Sequence, residues 1–279
     1  MSRSTRILAG LAAVAASAAL AVVVLALREA RALTVEREML VVPDLPADLD
    51  GVTLVFLADI HAGPIFGAKR MARLVDRVNR LGADVVVLGG DYVGGRNGGV
   101  DVFYPAAAHL SAKYGVYAVI GNHDEWEGLD EASRRMDEAG ITLLENASAR
   151  IAIGGATLAI AGLADEWTGT PDVATASAAI HGDDVAVLVA HNPDSFADAL
   201  PTSPISWALA LAGHTHGRQF RGAYQFNPRK PTRYGRRYLR RGLVAENGVP
   251  IIVSNGVGAV ALPLRFLARP EIHLITLRR

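Results

Sequence analysis

The chain has 279 residues, room for one large domain or two small ones, and 51% of them are hydrophobic, enough for a sizeable core. Its 28 basic and 28 acidic residues cancel to a formal net charge of zero, which argues against a generally basic nucleic-acid binder. No cysteine is present, so disulfides, thiolate metal sites and cysteine nucleophiles are excluded.

In chain order, the first feature is an uncharged, almost wholly apolar run of 21 residues, 7–27, flanked by Arg3 and Arg6 before it and Arg28 and Arg31 after it. That length spans a bilayer and exceeds the roughly 7–15 residues of a secretory h-region. The run predicts a retained single-pass anchor behind a short basic segment, 1–6. Ala16-Ser17-Ala18 leaves cleavage as the alternative. Basic residues on both flanks leave the orientation open by the positive-inside rule. A short N-terminus ahead of a large domain favours a cell-membrane protein with that domain outside the cytoplasm. Residues 28–39 read as a polar linker and 40–279 as the globular domain.

Within that domain, 53–58, 84–88, 115–120, 185–190 and 207–212 are short runs rich in Val, Ile, Leu and Ala. Near-continuous apolar strands are expected in a sheet buried on both faces. Met71, Leu74, Val75, Val78 and Leu81 have helical spacing and Gly82 follows, which predicts a helix over 68–81. Residues 150–161 read as a hairpin about Gly154-Gly155. Late strands are expected at 250–254 and 271–277. The pattern predicts a mixed α/β domain with two sheets in contact.

Each of the five apolar runs ends in polar residues: Asp59-Ile60-His61, Gly89-Gly90-Asp91, Gly121-Asn122-His123-Asp124, His191-Asn192-Pro193 and Gly213-His214-Thr215-His216. Ligands of α/β sheets bind beyond the carboxyl ends of the strands. Singly, each has an ordinary explanation: Asp59 as an N-cap, Asp91 and Asn122 as turn residues, His191 as a satisfied half-buried histidine, His214 and His216 as a solvated turn. Together those explanations are weak, because five of the eight histidines fall at these positions. His109, His181 and His273 do not, and receive no role. In an extended chain, residues i and i+2 share a face, so each of the pairs 59/61 and 214/216 can converge on one ion or on two side by side. Seven candidate ligands result: Asp59, His61, Asp91, Asn122, His191, His214 and His216. A catalytic zinc needs about three protein ligands. Seven suit two ions about 3.5–4 Å apart that share one carboxylate and hold an attacking hydroxide against a phosphoryl group.

The five motifs, in this order over residues 59–216, resemble those of the calcineurin-like metallophosphoesterases, and the resemblance extends from about residue 40 onward. It implies an α/β (α+β mixed) fold, a four-layer sandwich of two packed mixed β-sheets flanked by helices, here preceded by one N-terminal transmembrane helix. It implies that Asp59, His61 and His216 hold one metal, that Asn122, His191 and His214 hold the second, and that Asp91 bridges them. His123 is then a catalytic residue that stabilises the phosphate charge or protonates the leaving oxygen, and Asp124 orients His123. A metal-bridging hydroxide attacks phosphorus in line. The cofactors implied are two divalent ions, with Mn, Zn and Fe all compatible with an imidazole and carboxylate set. Purple acid phosphatases carry a tyrosine three residues after the bridging aspartate. Gly94 occupies that position here, with Tyr92 out of register, which argues against a tyrosinate-bound ferric ion.

Residues 218–241 hold nine basic residues and no acidic one, interleaved with Phe220, Tyr224, Phe226, Tyr234 and Tyr238. The segment reads either as a solvated basic loop or as an arm that contacts substrate, with Arg218 and Arg221 as the candidate contacts. Anionic lipid headgroups attract such clusters, and single-stranded nucleic acid also suits arginines with aromatics; the anchor favours lipid. Pro64-Ile65-Phe66-Gly67, Trp126 and Trp167 are candidates for the walls of the same mouth. The layout is most similar to bacterial membrane-associated phosphodiesterases, relatives of enzymes that cleave the pyrophosphate of UDP-diacylglucosamine. It departs from them at Arg218, where a second glycine is common, and at Ser254-Asn255-Gly256, which lacks an arginine. The expectation is a membrane-anchored phosphoesterase with a dinuclear centre, acting on a phosphorylated small molecule or a lipid-linked substrate and favouring phosphodiesters. A phosphomonoesterase or nucleotidase is the alternative. An inactive scaffold is a further one, against which the complete ligand set and His123 argue.

Overall fold

The computed structural model describes residues 2–94, 98–219, 232–234, 238 and 243–279. It opens with a 27-residue helix, α1 (Arg3–Glu29), whose Ser2 cap accepts a hydrogen bond from the Thr5 amide. The helix is long and apolar enough to cross a membrane, and its side chains are mostly exposed until Ala26, which is buried, as is Ala30 just beyond it. Strand β1 (Thr34–Val41) begins four residues later, inside the segment expected to be a linker. Charged Glu36, Arg37 and Glu38 obscure it in the sequence. It lies at a sheet edge, where charge deters further pairing, and its partner is the last strand of the chain, β12 (Glu271–Arg278), paired parallel from Thr34 to Val41.

The first sheet contains β2 (Thr53–Leu57), β3 (Val85–Leu88), β4 (Val116–Ala118) and β5 (Thr142–Leu143), in the order β1-β12-β2-β3-β4-β5. The second contains β6 (Ala147–Ile153), β7 (Ala156–Gly162), β8 (Val185–Ala190), β9 (Leu209–Ala212), β10 (Leu243–Glu246) and β11 (Val249–Val253), in the order β10-β11-β9-β8-β7-β6. Both are mixed. Strands β2 to β5 run parallel and β12 antiparallel to β2, while β7, β8, β9 and β11 run parallel between the antiparallel edges β6 and β10.

The period-2 alternation of strands sorts the apolar residues into layers. Leu54 and Phe56 of β2 and Val85 and Val87 of β3 meet Leu158, Ile160, Val187, Val189, Leu209 and Leu211 of the second sheet in a central layer. Val55, Leu57, Val86 and Leu88 point the other way, onto α2 (Ala68–Asn79), α3 (Val100–Ala107) and α4 (Asn122–Glu138). Ala159, Ala161, Ala186, Leu188, Ala210 and Ala212 face α5 (Val173–Ser177) and α6 (Ser195–Thr202). The result is the expected sandwich of two mixed sheets flanked by helices. Helix α2 buries Met71, Leu74, Val75 and Val78, the stripe seen in the sequence, and stops ahead of Gly82, whose φ of +61° favours glycine. The predicted strands recur to within two residues at each end, and the Gly154-Gly155 hairpin joins β6 to β7.

Phe56 is fully buried between the sheets. Phe56→Ala should destabilise the protein by about 3–5 kcal/mol, read from urea unfolding followed by tryptophan fluorescence. A loss below about 1 kcal/mol would show that the layer between the sheets is not what holds the fold.

Candidate metal centre

The segments beyond β2, β3 and β4 from one sheet, and beyond β8, β9 and β11 from the other, converge at one edge of the sandwich. Backbone pairing continues past the strands. Asp59 N donates to Gly90 O (2.9 Å), His61 N to Asp91 O (3.0 Å), Gly213 N to His191 O (3.0 Å) and Gly258 N to Asp59 O (2.7 Å). These bonds set the polar loops side by side, and Asp59, His61, Asp91, Asn122, His191, His214 and His216 are all buried there.

Two groups of donor atoms result. Asp59, His61, Asp91 and His216 form one, and Asp91, His191 and His214 the other; within each, the atoms lie within 4.8 Å of one another, close enough to hold a metal ion. Asp91 belongs to both. Its Oδ2 is 3.5 Å from His61 Nε2 and 3.3 Å from His191 Nε2. His61 Nε2 is 3.0 Å from His216 Nε2, which is 3.3 Å from Asp59 Oδ1. His191 Nε2 is 3.2 Å from His214 Nδ1, and the other His191 nitrogen, Nδ1, meets Gly89 O at 2.8 Å. That second contact turns Nε2 inward, the device by which ligand histidines are oriented.

The chemistry of the set fits a cation. Asn122 Oδ1 is buried without a hydrogen-bond partner among the described residues. An unpaired buried polar atom costs about 1–3 kcal/mol, a cost that a bound ion removes. Burial pushes the His61 and His214 imidazoles down to about 4 and about 3, so near pH 7 both are neutral and keep a lone pair for an ion. Burial also pushes Asp59 up to about 7. It opposes the charge on Asp91 as well, but His191 beside that carboxyl outweighs it and holds Asp91 well below the usual range.

The i, i+2 pairs do not converge by way of an extended backbone, as the sequence reading assumed. Asp59, His61, Asp91, His214 and His216 all have positive φ, from 48° to 67°, and His216 opens a 3₁₀ turn over His216–Arg218. The left-handed region is uncommon for residues other than glycine, though Asp and His enter it more readily than most. Such positions cluster where surrounding structure over-determines them; here the cross-loop hydrogen bonds do so.

Asp124 differs most from its expected place. It was expected on the His123 ring. Its Oδ2 instead accepts the backbone amides of Asp91 (2.8 Å) and Gly121 (3.0 Å), and its Oδ1 those of Tyr92 (2.8 Å) and Val93 (3.1 Å). As the third residue of α4 it accepts the amide of the N-cap residue Gly121, and from there it clamps the Asp91 loop. The His123 amide donates to Asp91 Oδ1 at 2.9 Å, and its half-buried ring lies 4.7 Å from that of His61. Gly121 is needed at this crossing, since a Cβ there would stand 2.4 Å from both Asp91 N and Asp91 Oδ1.

The mouth is a cavity of about 320 Å³ lined by His61, Pro64, Ile65, Gly94, His123 and Ala259–Ala261. Trp126 and Trp167, both at least half exposed, flank it, with rings 4.8 Å from His123 and 4.4 Å from His214 respectively. Phe66 turns inward and is buried. Arg218 is half-buried at φ 66°, its amide bonded to Thr215 O. Arg221 and most of the basic arm lie outside the described residues. Arg233, within the arm, pairs with Glu166 (2.8 Å) and Asp198 (3.1 Å). Tyr92 gives its hydroxyl to Leu88 O and Val119 O, inside the fold and away from the centre.

One neighbour was not anticipated. Arg265 is fully buried, donates from Nε to Gly258 O (2.8 Å) and from Nη1 to Asn255 O (2.7 Å) and Ala268 O (2.9 Å), and holds Nη2 3.4 Å from His216 Nδ1. The sequence signal was a lone charge in the apolar stretch Leu262–Leu267.

A mixed α/β sandwich with a metal-binding cluster at its strand ends defines the class of protein. The chain belongs to the calcineurin-like phosphoesterase family, whose model matches residues 52–218. It is therefore a metal-dependent phosphoester hydrolase by family. It is similar to the metallophosphoesterase YkuE of Bacillus subtilis, 29% identical over 238 residues that cover 84% of this chain and 82% of YkuE. It is similar to the phosphodiesterase YaeI of Escherichia coli, 30% identical over 228 residues that cover 80% and 81%. A transmembrane protein with a metallophosphoesterase domain from Danio rerio is 30% identical over 256 residues, 85% of this chain but 56% of that protein. The chain thus spans most of these bacterial relatives and little more than half of the fish one.

Gly121→Ala should lower bound metal sharply, measured by elemental analysis of the purified full chain, although it removes no donor atom. Wild-type metal content in that variant would mean that the Asp91–Gly121 contact does not shape the site.

Proposed function

We propose that the chain is a membrane-anchored, two-metal phosphodiesterase. The observation that carries this reading is the membership of Asp91 in both donor groups. In it, Asp59, His61 and His216 would hold one ion, Asn122, His191 and His214 would hold the other, and Asp91 would be shared between them. Bound divalent ions, Mn, Zn or Fe, supply a polarised phosphoryl oxygen and a nucleophile at neutral pH. His123 sits at the first turn of α4 beside both groups, its backbone tied to Asp91 and its ring on the cavity, where it stabilises phosphate charge and gives a proton to the leaving oxygen. The N-terminus of α4 adds partial positive charge at the same point. Asp124 acts through the backbone, by holding the Asp91 loop to α4. Arg218 is the candidate contact for the far side of the substrate.

Preference for a diester draws on the apolar walls of the cavity, Pro64, Ile65 and Ala259–Ala261, which suit a second, less polar ester group. The name of the relative YaeI, a phosphodiesterase, is in line with it. Helix α1 gives the anchor.

The test uses the full chain in non-ionic detergent. Chelation should abolish hydrolysis of bis(p-nitrophenyl) phosphate, and Mn or Zn should restore it; p-nitrophenyl phosphate should be the poorer substrate. A preference for the monoester would make the protein a phosphomonoesterase, and two bound metals without either activity would make it a scaffold. Asp91→Asn should lose both hydrolysis and metal. His123→Ala should keep its metal and lower kcat by about 10²–10⁴-fold; an unchanged kcat would remove His123 from the reaction.

A further inference from the structure

Helix α2 carries Arg70, Arg73 and Arg77 at positions i, i+3 and i+7, one stripe of its surface. With Arg31, two residues beyond the end of α1, they line a cavity of about 480 Å³ that is separate from the metal centre. Leu33, Ile65, Phe66, Leu74 and Val257 complete its lining. Like charges a helical turn apart repel, yet among the described residues none of the four arginines is paired with a carboxylate. The acid nearest Arg31 in sequence, Glu29, is engaged elsewhere and accepts the Ala268 amide at 2.6 Å. Arg70 is held in place, with Nη2 on Ala30 O at 2.6 Å and its guanidinium 4.4 Å from the Phe66 ring. Burial, Arg31 and Arg73 all disfavour its charge.

A cavity with four arginines, no carboxylate partner for them among the described residues and an apolar lining calls for an anion attached to a hydrocarbon. Guanidinium forks match phosphate oxygens. The height of the cavity is also set: Arg70 grips Ala30, the residue just beyond α1, so with α1 seated in a bilayer the arginines stand where that helix leaves it. Anionic lipid surfaces attract basic residues at that level.

We propose that this cavity binds the phosphate headgroup of an anionic phospholipid, with the first acyl carbons against Leu33, Phe66 and Leu74. Ile65 lines both this cavity and the one at His61 and His123, so a bound lipid sits one side chain from the mouth of the metal centre and holds that mouth at the membrane surface. The inference rests on α1 being seated in a bilayer and not on the metals.

The full chain in non-ionic detergent is titrated with dioctanoyl phosphatidylglycerol, dioctanoyl phosphatidylcholine and inorganic phosphate, with binding read by native mass spectrometry and by Tm. Phosphatidylglycerol should bind and raise Tm, and the other two should bind at least tenfold more weakly. The double variant Arg73→Gln, Arg77→Gln, folded by its lipid-free Tm, should bind phosphatidylglycerol at least tenfold more weakly, while Arg73→Lys, Arg77→Lys retains most of the affinity. Asp91→Asn should leave lipid binding intact, which separates this site from a diester seated on the metals. Equal binding of phosphatidylcholine would reduce the site to apolar contact, and equal binding of phosphate to a free-anion site. Unchanged affinity in the glutamine variant, or loss of it in Asp91→Asn, would place the lipid elsewhere. Each of these results overturns the proposal.

Discussion

The Asp91 carboxylate is buried where the two sheets meet, with imidazoles of both on either side of one of its oxygens, His61 at 3.5 Å and His191 at 3.3 Å. A buried carboxylate is tolerated only when positive charge or hydrogen-bond donors answer it. Here one amide, that of His123, reaches Oδ1, and Oδ2 faces the His61 and His191 nitrogens, which are able to ligate a cation. The convergence of loops from six strands follows from that requirement. Each sheet places part of the donor set, and neither sheet alone completes either group, because His216 and His191 come from the second sheet and Asp91 from the first.

What keeps such a set from relaxing is the backbone around it. Five of the donor residues adopt positive φ, and the loops that carry them are cross-linked by main-chain bonds and by Asp124, which fills all its acceptor positions with amides of 91–93 and 121. Asp124 serves the centre without touching it. The close approach at Gly121 has the same logic: the chains cross so tightly that a methyl group would displace Asp91.

The loop after β11 joins this centre to α1. Arg265 N donates to Ala26 O and Ala268 N to Glu29, which fixes the loop to the last turn of α1, while the Arg265 side chain spans Gly258, Asn255 and the neighbourhood of His216. Gln219, at the end of the His216 turn, bonds the same loop at Val260 and Leu262. Leu262 and Leu267 of that loop are exposed. The helix is therefore docked to the hydrolase domain through the same segment that walls its site.

Much of this was legible in the chain. The apolar runs of β2, β3, β8 and β9 are local in sequence, as are the α2 stripe and the Gly154-Gly155 turn, because period and turn chemistry act over a few residues. Six of the seven candidate ligands fall in the two donor groups, and they were legible because each lies within four residues of the end of a strand; the seventh, Asn122, opens α4. Strand β1 was not, because only its partner 237 residues away, Thr34 against Glu271, makes it a strand rather than a charged linker. The left-handed conformations at Asp59, Asp91 and His214 depend on bonds between loops that adjoin only in space. The amide partners of Asp124, the burial of Arg265 against His216 and the grouping of Arg31 with Arg70, Arg73 and Arg77 have the same origin. The sequence by itself determined which residues could ligate and which strands would be buried, through short-range pattern. Only the tertiary structure decided how the loops cross, because those contacts join segments tens to hundreds of residues apart and leave no local mark.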